Sequence, residues 1–247
     1  MKERITGALL VMLLIIAICI PQSAQASLKK RTTYSDKQKS ADQTTAAQSN
    51  TTAASQPAPV VLVLDAGHGG VDSGAKGNGF LEKNMTLAIV LSAKQYFDKD
   101  KRFKVYYTRI ADTYPSLKDR SKLANKNKAD LFICVHINSA HEGASGTETL
   151  YSYPRNISTM KNGISSADLA GAMQKTALRS TGFADRGLVN RPGLYVLKHT
   201  KMPACLIEYG FISNPIESRI MEVNKTRYGK ELYEGIVEYM KSKGRIK

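Results

Sequence analysis

Val60-Val61-Leu62-Val63-Leu64-Asp65-Ala66-Gly67-His68-Gly69-Gly70 decides the fold. Its first five residues are apolar at every position rather than at every second one. That is the composition of a strand covered on both faces, as in a parallel α/β sheet. The run then breaks into a polar, glycine-rich turn. Two later stretches end in a similar way: Leu131-Phe132-Ile133-Cys134-Val135-His136-Ile137-Asn138 and Ala204-Cys205-Leu206-Ile207-Glu208-Tyr209-Gly210-Phe211. In each, a β-rich apolar run ends at a residue able to bind a metal or move a proton. In an open α/β sheet the carboxyl ends of parallel strands face one crevice. Three such endings therefore meet at one edge if their strands are neighbours, an order that the sequence does not disclose.

Between these runs lie further strand-like segments at Phe103–Thr108, Thr147–Tyr151 and Gly193–Leu197, with helical patterns among them. Asn84 is placed to cap a helix carrying Leu87, Ile89, Val90, Leu91 and Ala93. Ser116 with Asp119 has the spacing of a capping box. Ser166 precedes Leu169, Ala172, Met173 and Leu178, and Gly182 closes that stretch. Asn214-Pro215-Ile216-Glu217 reads as cap, first-turn proline and N3 glutamate. A last helix is expected over about Thr226–Lys241. Strands alternating with helices predict a single α/β domain. Its sheet is twisted, mainly parallel (mixed), of about six strands, with helices on both faces.

The domain fills Val60 to Lys247, enough chain for one full core. Ahead of it, Lys2 and Arg4 precede an apolar run from Ile5 to Ile20, a break at Pro21 and an Ala24-Gln25-Ala26 site. Residues 1–26 thus read as a secretory signal peptide. The run is shorter than the roughly 20 residues of a membrane-spanning helix, the rival reading. Residues 27–59, rich in Thr, Gln, Ala and Ser, read as a disordered linker. The chain is therefore expected to be exported, to a periplasm or to the cell wall and exterior. Cys134 and Cys205 sit within apolar runs and are expected to be buried free thiols, although export permits a disulfide.

The formal charge is +15, and +14 without residues 1–26, which carry Lys2, Arg4 and Glu3. Excess positive charge favours polyanions, here wall polymers or an anionic membrane surface. The scattered Lys and Arg, the absence of Trp and the lack of any nucleic-acid-binding motif argue against nucleic acid.

Two imidazoles and a carboxylate form a hydrolytic zinc set with one position left for water. His68 stands in a glycine-rich loop, and Glu82 follows across a second flexible stretch, Gly74 to Gly79. One carboxylate among the ligands leaves the centre net positive, which acidifies a water and polarises a carbonyl. A second carboxylate, Glu208, is then available to take a proton and pass it to a leaving nitrogen. Taken singly these residues have plainer readings. His68 is a turn residue, His136 a structural polar group, Glu208 a paired carboxylate, and His141 and His199 surface side chains. Asp65 either orients a metal-bound imidazole or caps the loop.

The joint pattern resembles the zinc-dependent N-acetylmuramoyl-L-alanine amidases of the type 3 amidase family. Leu64 to Ala75 resembles the family's opening motif and Glu82-Lys83 its Glu-Lys step. Thr108-Arg109 with Leu117–Asn125 resembles the central region, and Asp130–Asn138 the second His motif. Arg186-Gly187, Tyr195-Val196-Leu197, Met202-Pro203-Ala204 and Glu208–Asn214 resemble the closing region. Ser73 stands where many relatives carry Pro. The resemblance implies His68, Glu82 and His136 as ligands of one Zn2+ per chain, Glu208 as the catalytic carboxylate and Asn138 as a substrate contact. It implies peptidoglycan as substrate, cut between N-acetylmuramic acid and the L-alanine of the stem peptide, and the protein is expected to act as a monomer. Some relatives insert a long segment that blocks the zinc. Only Ser152 to Ser165 fills that gap here, so an uninhibited site is expected. A zinc peptidase acting on stem peptides and a non-catalytic wall-binding domain are the alternative functions.

Overall fold

The computed structural model describes residues 58–153 and 163–247, all within one compact unit. The expected signal segment, nearly all of the expected linker and most of Ser152–Ser165 lie outside the described residues.

Six strands form the main sheet: β1 (Val60–Ala66), β4 (Phe103–Tyr107), β5 (Leu131–Asn138), β6 (Thr147–Tyr151), β7 (Asp185–Asn190) and β8 (Ala204–Phe211). Their order is β4-β1-β5-β8-β6-β7. The first four are mutually parallel. β6 runs antiparallel to β8 and parallel to β7, so the sheet is mixed, as expected. From β1 the chain crosses through α1 (Glu82–Phe97) to β4 on one side, then through α2 (Leu117–Lys126) to β5 on the other. The carboxyl ends of β1 and β5 therefore flank the point where the winding reverses, where such sheets open a ligand crevice.

Alternation along the strands assigns the two faces. Leu62 and Leu64 of β1, Ile133 and Val135 of β5 and Cys205 and Ile207 of β8 join one apolar cluster with α1, α3 (Ser166–Thr181) and α5 (Pro215–Ser242). Val63, Phe132, Cys134, Ala204 and Leu206 join the other, with α2 and the short α4 (Tyr195–His199). His136 and Glu208 continue the second set. Both thus emerge on the α2–α4 face, where one turn of helix leaves the strand ends uncovered. α5 packs tightly against its neighbours: a Cβ on Gly229 would stand 2.3 Å from the Ile89 carbonyl oxygen of α1.

Ser116 accepts from the Asp119 N–H, and Gly182 ends α3 in the left-handed conformation, both as expected. Five details differ. Gly193–Leu197 is not a strand: Tyr195–His199 is helical, and the sixth strand is β7. A short apolar run suits a buried helical turn as well as a strand, and β7 reads as polar because it is a largely exposed edge. α1 starts at Glu82 behind Leu81, before Asn84, and α3 is capped by Ser165 in a box with Asp168. The helix begun at Pro215 continues unbroken to Ser242. The supposedly flexible Gly74–Gly79 stretch contains a hairpin, β2 (Lys76–Gly77) and β3 (Phe80–Leu81), turned by Asn78-Gly79, both at positive φ.

Candidate metal centre

His68 lies just past β1 with φ of 59°, a left-handed backbone uncommon for a residue other than glycine. A tight bridge between Gly69 and Asp72 holds it there, with N–H to carbonyl bonds of 2.9 and 3.0 Å in both directions. Asp72 does more than close the turn. Its Oδ2 is 2.8 Å from His68 Nδ1, and its Oδ1 accepts from the Gly74 N–H at 3.0 Å. A carboxylate only accepts, so the imidazole proton sits on Nδ1 and Nε2 presents its lone pair inward. Nε2 is 3.1 Å from Oε2 of Glu82.

Glu82 is the first residue of α1, where a negative side chain suits the positive end of the helix. Its buried carboxylate is fully organised. Oε1 accepts from the Ile137 N–H at 3.0 Å and lies 2.8 Å from His136 Nδ1, and Oε2 accepts from the Ala75 N–H at 2.8 Å. The two imidazole rings meet edge to face, 4.8 Å apart. Glycine is required on two sides of this cluster. A Cβ on Gly67 would stand 2.5 Å from the His136 ring, and one on Gly74 would stand 2.6 Å from Glu82 Oε2.

Burial pushes the Glu82 carboxyl up, but hydrogen bonds from His136 and His68 outweigh it and hold the group far below the usual carboxylate range. Burial likewise opposes charge on His68, yet Glu82 and Asp72 together raise it. His68 and Glu82 compete for a proton, and a bound cation takes the place of such a proton. One ligand atom from each of His68, Glu82 and His136 lies within 4.8 Å of the others. Two imidazole nitrogens with one carboxylate oxygen, a carboxylate oriented behind one imidazole and glycine clearance around them fit a borderline divalent metal.

Glu208 stands beside this cluster. On β8 it is in register with His136 of β5 on one side and Glu148 of β6 on the other. Its Oε2 is buried with no hydrogen-bond partner. Burial first, then the charges of Glu82 and Glu148, push its carboxyl well above the ordinary value. Glu148 itself accepts from Asn138 Nδ2 at 3.0 Å and from Arg186 Nε at 2.9 Å.

Asp65 touches neither imidazole. It accepts from Thr108 Oγ1 and Arg120 Nη1, both at 2.6 Å, and from Cys134 Sγ at 2.8 Å. Arg120 passes this anchorage on to the loop, donating to the carbonyls of Ala66 and His68 at 2.7 and 2.8 Å. Arg109 does the corresponding work for α1. From one buried guanidinium it donates to the Ala66 and Gly67 carbonyls, at 2.9 and 2.7 Å, and to the Lys83 carbonyl, at 2.8 Å. Arg109 thus bolts the His68 loop to the start of the Glu82 helix, helped by Thr86 Oγ1 and Lys83 Nζ, which donate to the Gly67 and Gly70 carbonyls, each at 2.9 Å. The Asn138 amide is engaged by Glu148 and by the Ser139 N–H, while His141 and His199 are exposed and apart from the centre. Cys134 and Cys205 are buried free thiols, as expected.

Asp72, Arg109, Arg120, Glu148 and Arg186 were not singled out from the sequence as parts of the site. Asp72 carries a local signal, four residues past His68 within the same turn, and Arg109, Arg120 and Arg186 lie in the stretches that resemble the family, while Glu148 carries none.

A doubly wound sheet that gathers two imidazoles and a carboxylate at its switch point, with a buried carboxylate oxygen left without a hydrogen-bond partner on the neighbouring strand, defines an α/β domain carrying a candidate metal site. The particular family follows from similarity. The sequence model of the N-acetylmuramoyl-L-alanine amidases matches residues 62–238, and the chain belongs to that family. It is 39% identical over 175 residues to the endolysin of Bacillus phage SPP1, covering 71% of this chain and 62% of that one. It is 34% identical over 187 residues to N-acetylmuramoyl-L-alanine amidase LytC of Bacillus subtilis (strain 168), covering 73% of this chain and 36% of LytC. The chain thus spans less than two thirds of either curated relative. The solved catalytic domain of CwlV, an N-acetylmuramoyl-L-alanine amidase of Bacillus (Paenibacillus) polymyxa var. colistinus, superposes with a TM-score of 0.65 at 34% identity. That match covers 74% of this chain and 98% of the domain.

Proposed function

We propose that this chain is a zinc-dependent peptidoglycan hydrolase that cleaves the amide between N-acetylmuramic acid and the L-alanine of the stem peptide. His68 Nε2, Glu82 and His136 Nδ1 would hold one zinc per chain. Bound there, zinc supplies Lewis acidity, which lowers the pKa of a water and polarises the scissile carbonyl. Glu208 is the proton carrier. The observation that carries this role is its buried, unpartnered Oε2 in register with His136. A carboxyl whose pKa is raised gives up and regains a proton more readily near neutral pH than an ordinary one. It takes the proton of the attacking water and returns it to the departing alanine nitrogen. Asp72 fixes the His68 tautomer, and Arg109 and Arg120 keep the two ligand-bearing segments in place. All of these residues come from one chain, which supports action as a monomer.

Export follows from the same reading. Residues 1–26 direct secretion and residues 27–59 space the catalytic domain from the point of cleavage or attachment. Among the described residues no helix is long and apolar enough to cross a membrane. The basic charge then holds the enzyme near anionic wall polymers or the membrane surface.

Metal analysis paired with mass spectrometry of digested peptidoglycan tests the proposal, on the wild type and on Glu208→Ala. One zinc per chain in both proteins is expected. Free stem peptides with an N-terminal L-alanine are expected from the wild type alone. Shortened stems would make the protein a peptidase instead, and a fully active variant would remove Glu208 from the mechanism.

A further inference from the structure

A pocket of about 300 Å³ opens directly off the metal cluster on the α2–α4 face. His68 and His136 form its inner wall, and Tyr114, Leu117, Leu194 and Tyr195 form its sides. A larger cavity, of about 470 Å³, lies between α3 and α5 away from all four reactive residues. Contact with the metal ligands, and not size, marks the smaller one.

Its construction is specific. Tyr114 and Leu117 are each 52% exposed, large apolar surfaces presented at the rim. Tyr114 rests on the His68 loop, with its Cβ 3.1 Å from where a Cβ on Gly70 would stand. Tyr195 is held in place by stacking on His199 at 4.1 Å. Apart from the imidazoles, Arg120 is the one cation of the lining. Its guanidinium is taken up by Asp65 and by the carbonyls of Ala66, His68 and Pro115. The remaining charged groups of the lining, Asp65 and Asp72, are carboxylates. Away from its inner wall at the metal ligands, the pocket thus offers aromatic and aliphatic faces and no free cation to receive an anion.

The opposite flank differs. Across Glu208, Glu148 binds Arg186, whose side chain is 43% exposed. Adjacent strands lie about 4.8 Å apart, so this guanidinium is within reach of the second residue of a peptide extending from the metal.

A substrate cut at the metal must lay one half on each flank. We propose that the pocket seats the muramoyl sugar, with its uncharged N-acetyl and lactyl groups against Tyr114, Leu117 and Tyr195, and that the carboxylate-bearing stem peptide runs out past Glu208 toward Arg186. A volume of about 300 Å³ is at the small end of ligand pockets and holds one substituted hexose. Sugar rings pack their apolar faces on aromatic side chains, and peptide carboxylates are repelled by Asp72. This assignment rests on the amidase reading above. Beyond Tyr195 the surface carries Lys118, Lys122 and Lys126, so a stem laid the other way would bring its carboxylates there instead.

Saturation-transfer NMR on the full chain separates the two orientations without requiring catalysis. The probes are N-acetylmuramoyl amide, whose lactyl carboxyl is capped and neutral, and L-alanyl-D-glutamate. Tyr114→Ala and Leu117→Asn are expected to weaken transfer to the sugar's N-acetyl and lactyl protons about fivefold and to leave the dipeptide unchanged. Arg186→Gln is expected to do the reverse. Dipeptide signals lost in the Tyr114 and Leu117 variants, or sugar signals indifferent to both, would overturn the assignment. The digest described above fails or succeeds separately. A chain that binds the sugar here but releases no stem peptide keeps the pocket and refutes the amidase.

Discussion

Replacing Glu208 by Gln is expected to stabilise the protein while it cuts turnover sharply, and the two effects have one cause. In the fold this carboxylate stands between His136 and Glu148, faces the charges of Glu82 and Glu148, and leaves Oε2 without a partner. An unsatisfied buried polar group costs about 1–3 kcal/mol, more when charged, and a neutral amide costs less. The expected gain for Glu208→Gln at pH 8 in metal-stripped protein is therefore about 1–2 kcal/mol. For a domain of this size that is a rise in melting temperature of about 2–8 °C. The pH dependence has a definite sign. Burial raises the folded-state pKa of Glu208 above its unfolded value, so wild-type stability from this group is complete below about pH 4.3 and is lost as pH rises through the folded value. The variant has no such loss. Thermal melts in a chelator at pH 4.5 and pH 8 should then show curves that nearly coincide in acid and separate in base. Activity on peptidoglycan should fall about 10²–10⁴-fold, the usual worth of a positioned proton carrier. A variant no more stable than wild type at pH 8, or a gap that widens in acid, would refute the reasoning that Glu208 is held at a disadvantage for its chemistry.

Four further outcomes are expected. Asp72→Asn leaves one acceptor oxygen for the Gly74 N–H and the His68 Nδ1–H, which now have one each, and removes the charge behind the imidazole, so zinc affinity measured against a competing chelator should drop about 10–100-fold; an unchanged affinity would leave Asp72 a turn residue only. Gly67→Ala sets a methyl group 2.5 Å from the His136 ring and should weaken zinc binding by at least about tenfold, again read by chelator competition, with little change in urea midpoint if the ring alone moves. Arg109→Lys keeps the charge but cannot span the Ala66, Gly67 and Lys83 carbonyls together; urea denaturation should show a loss of about 2–4 kcal/mol, and a loss below about 0.5 kcal/mol would show that the bolt carries no weight. Cys134 and Cys205 are fully buried, and burial raises both thiols, so a thiol reagent should label neither in the native protein and both in urea.

Much of this was already written along the chain. Continuous apolar runs at Val60–Leu64 and Leu131–Val135 announced strands covered on both faces, because such burial leaves no polar position to spare. His68, His136 and Glu208 are legible because each interrupts or follows such a run, where a polar residue has no packing reason to be, whereas Glu82, beyond the Gly74–Gly79 stretch, is legible through the family's Glu-Lys step. The turn chemistry was legible too: Gly182 closes α3 and Ser116 caps α2 through local bonds that depend on a few neighbouring residues. Asn78-Gly79 announced its hairpin in the same local way, although the stretch was read as flexible.

What tertiary structure alone decided is everything that depends on residues far apart in the chain. The order β4-β1-β5-β8 brings His68 and His136 to one switch point, and no periodicity within β1 or β5 encodes that adjacency. β7 escaped notice because an edge strand leaves half its surface in water and so keeps a polar sequence. Gly193–Leu197 reads as a strand because a short apolar stretch satisfies helix and strand alike until its neighbours choose. Arg109 and Arg120 lie in the stretches that resemble the family's central region, but nothing local in the sequence gives them or Glu148 a role, since charged residues are mostly exposed. They are buried because their partners, the Gly67 and His68 carbonyls and the Asn138 amide, reach them across gaps of 10 to 52 residues. A buried charge is tolerable only when its partners are assembled around it, and that assembly exists only once the chain has folded.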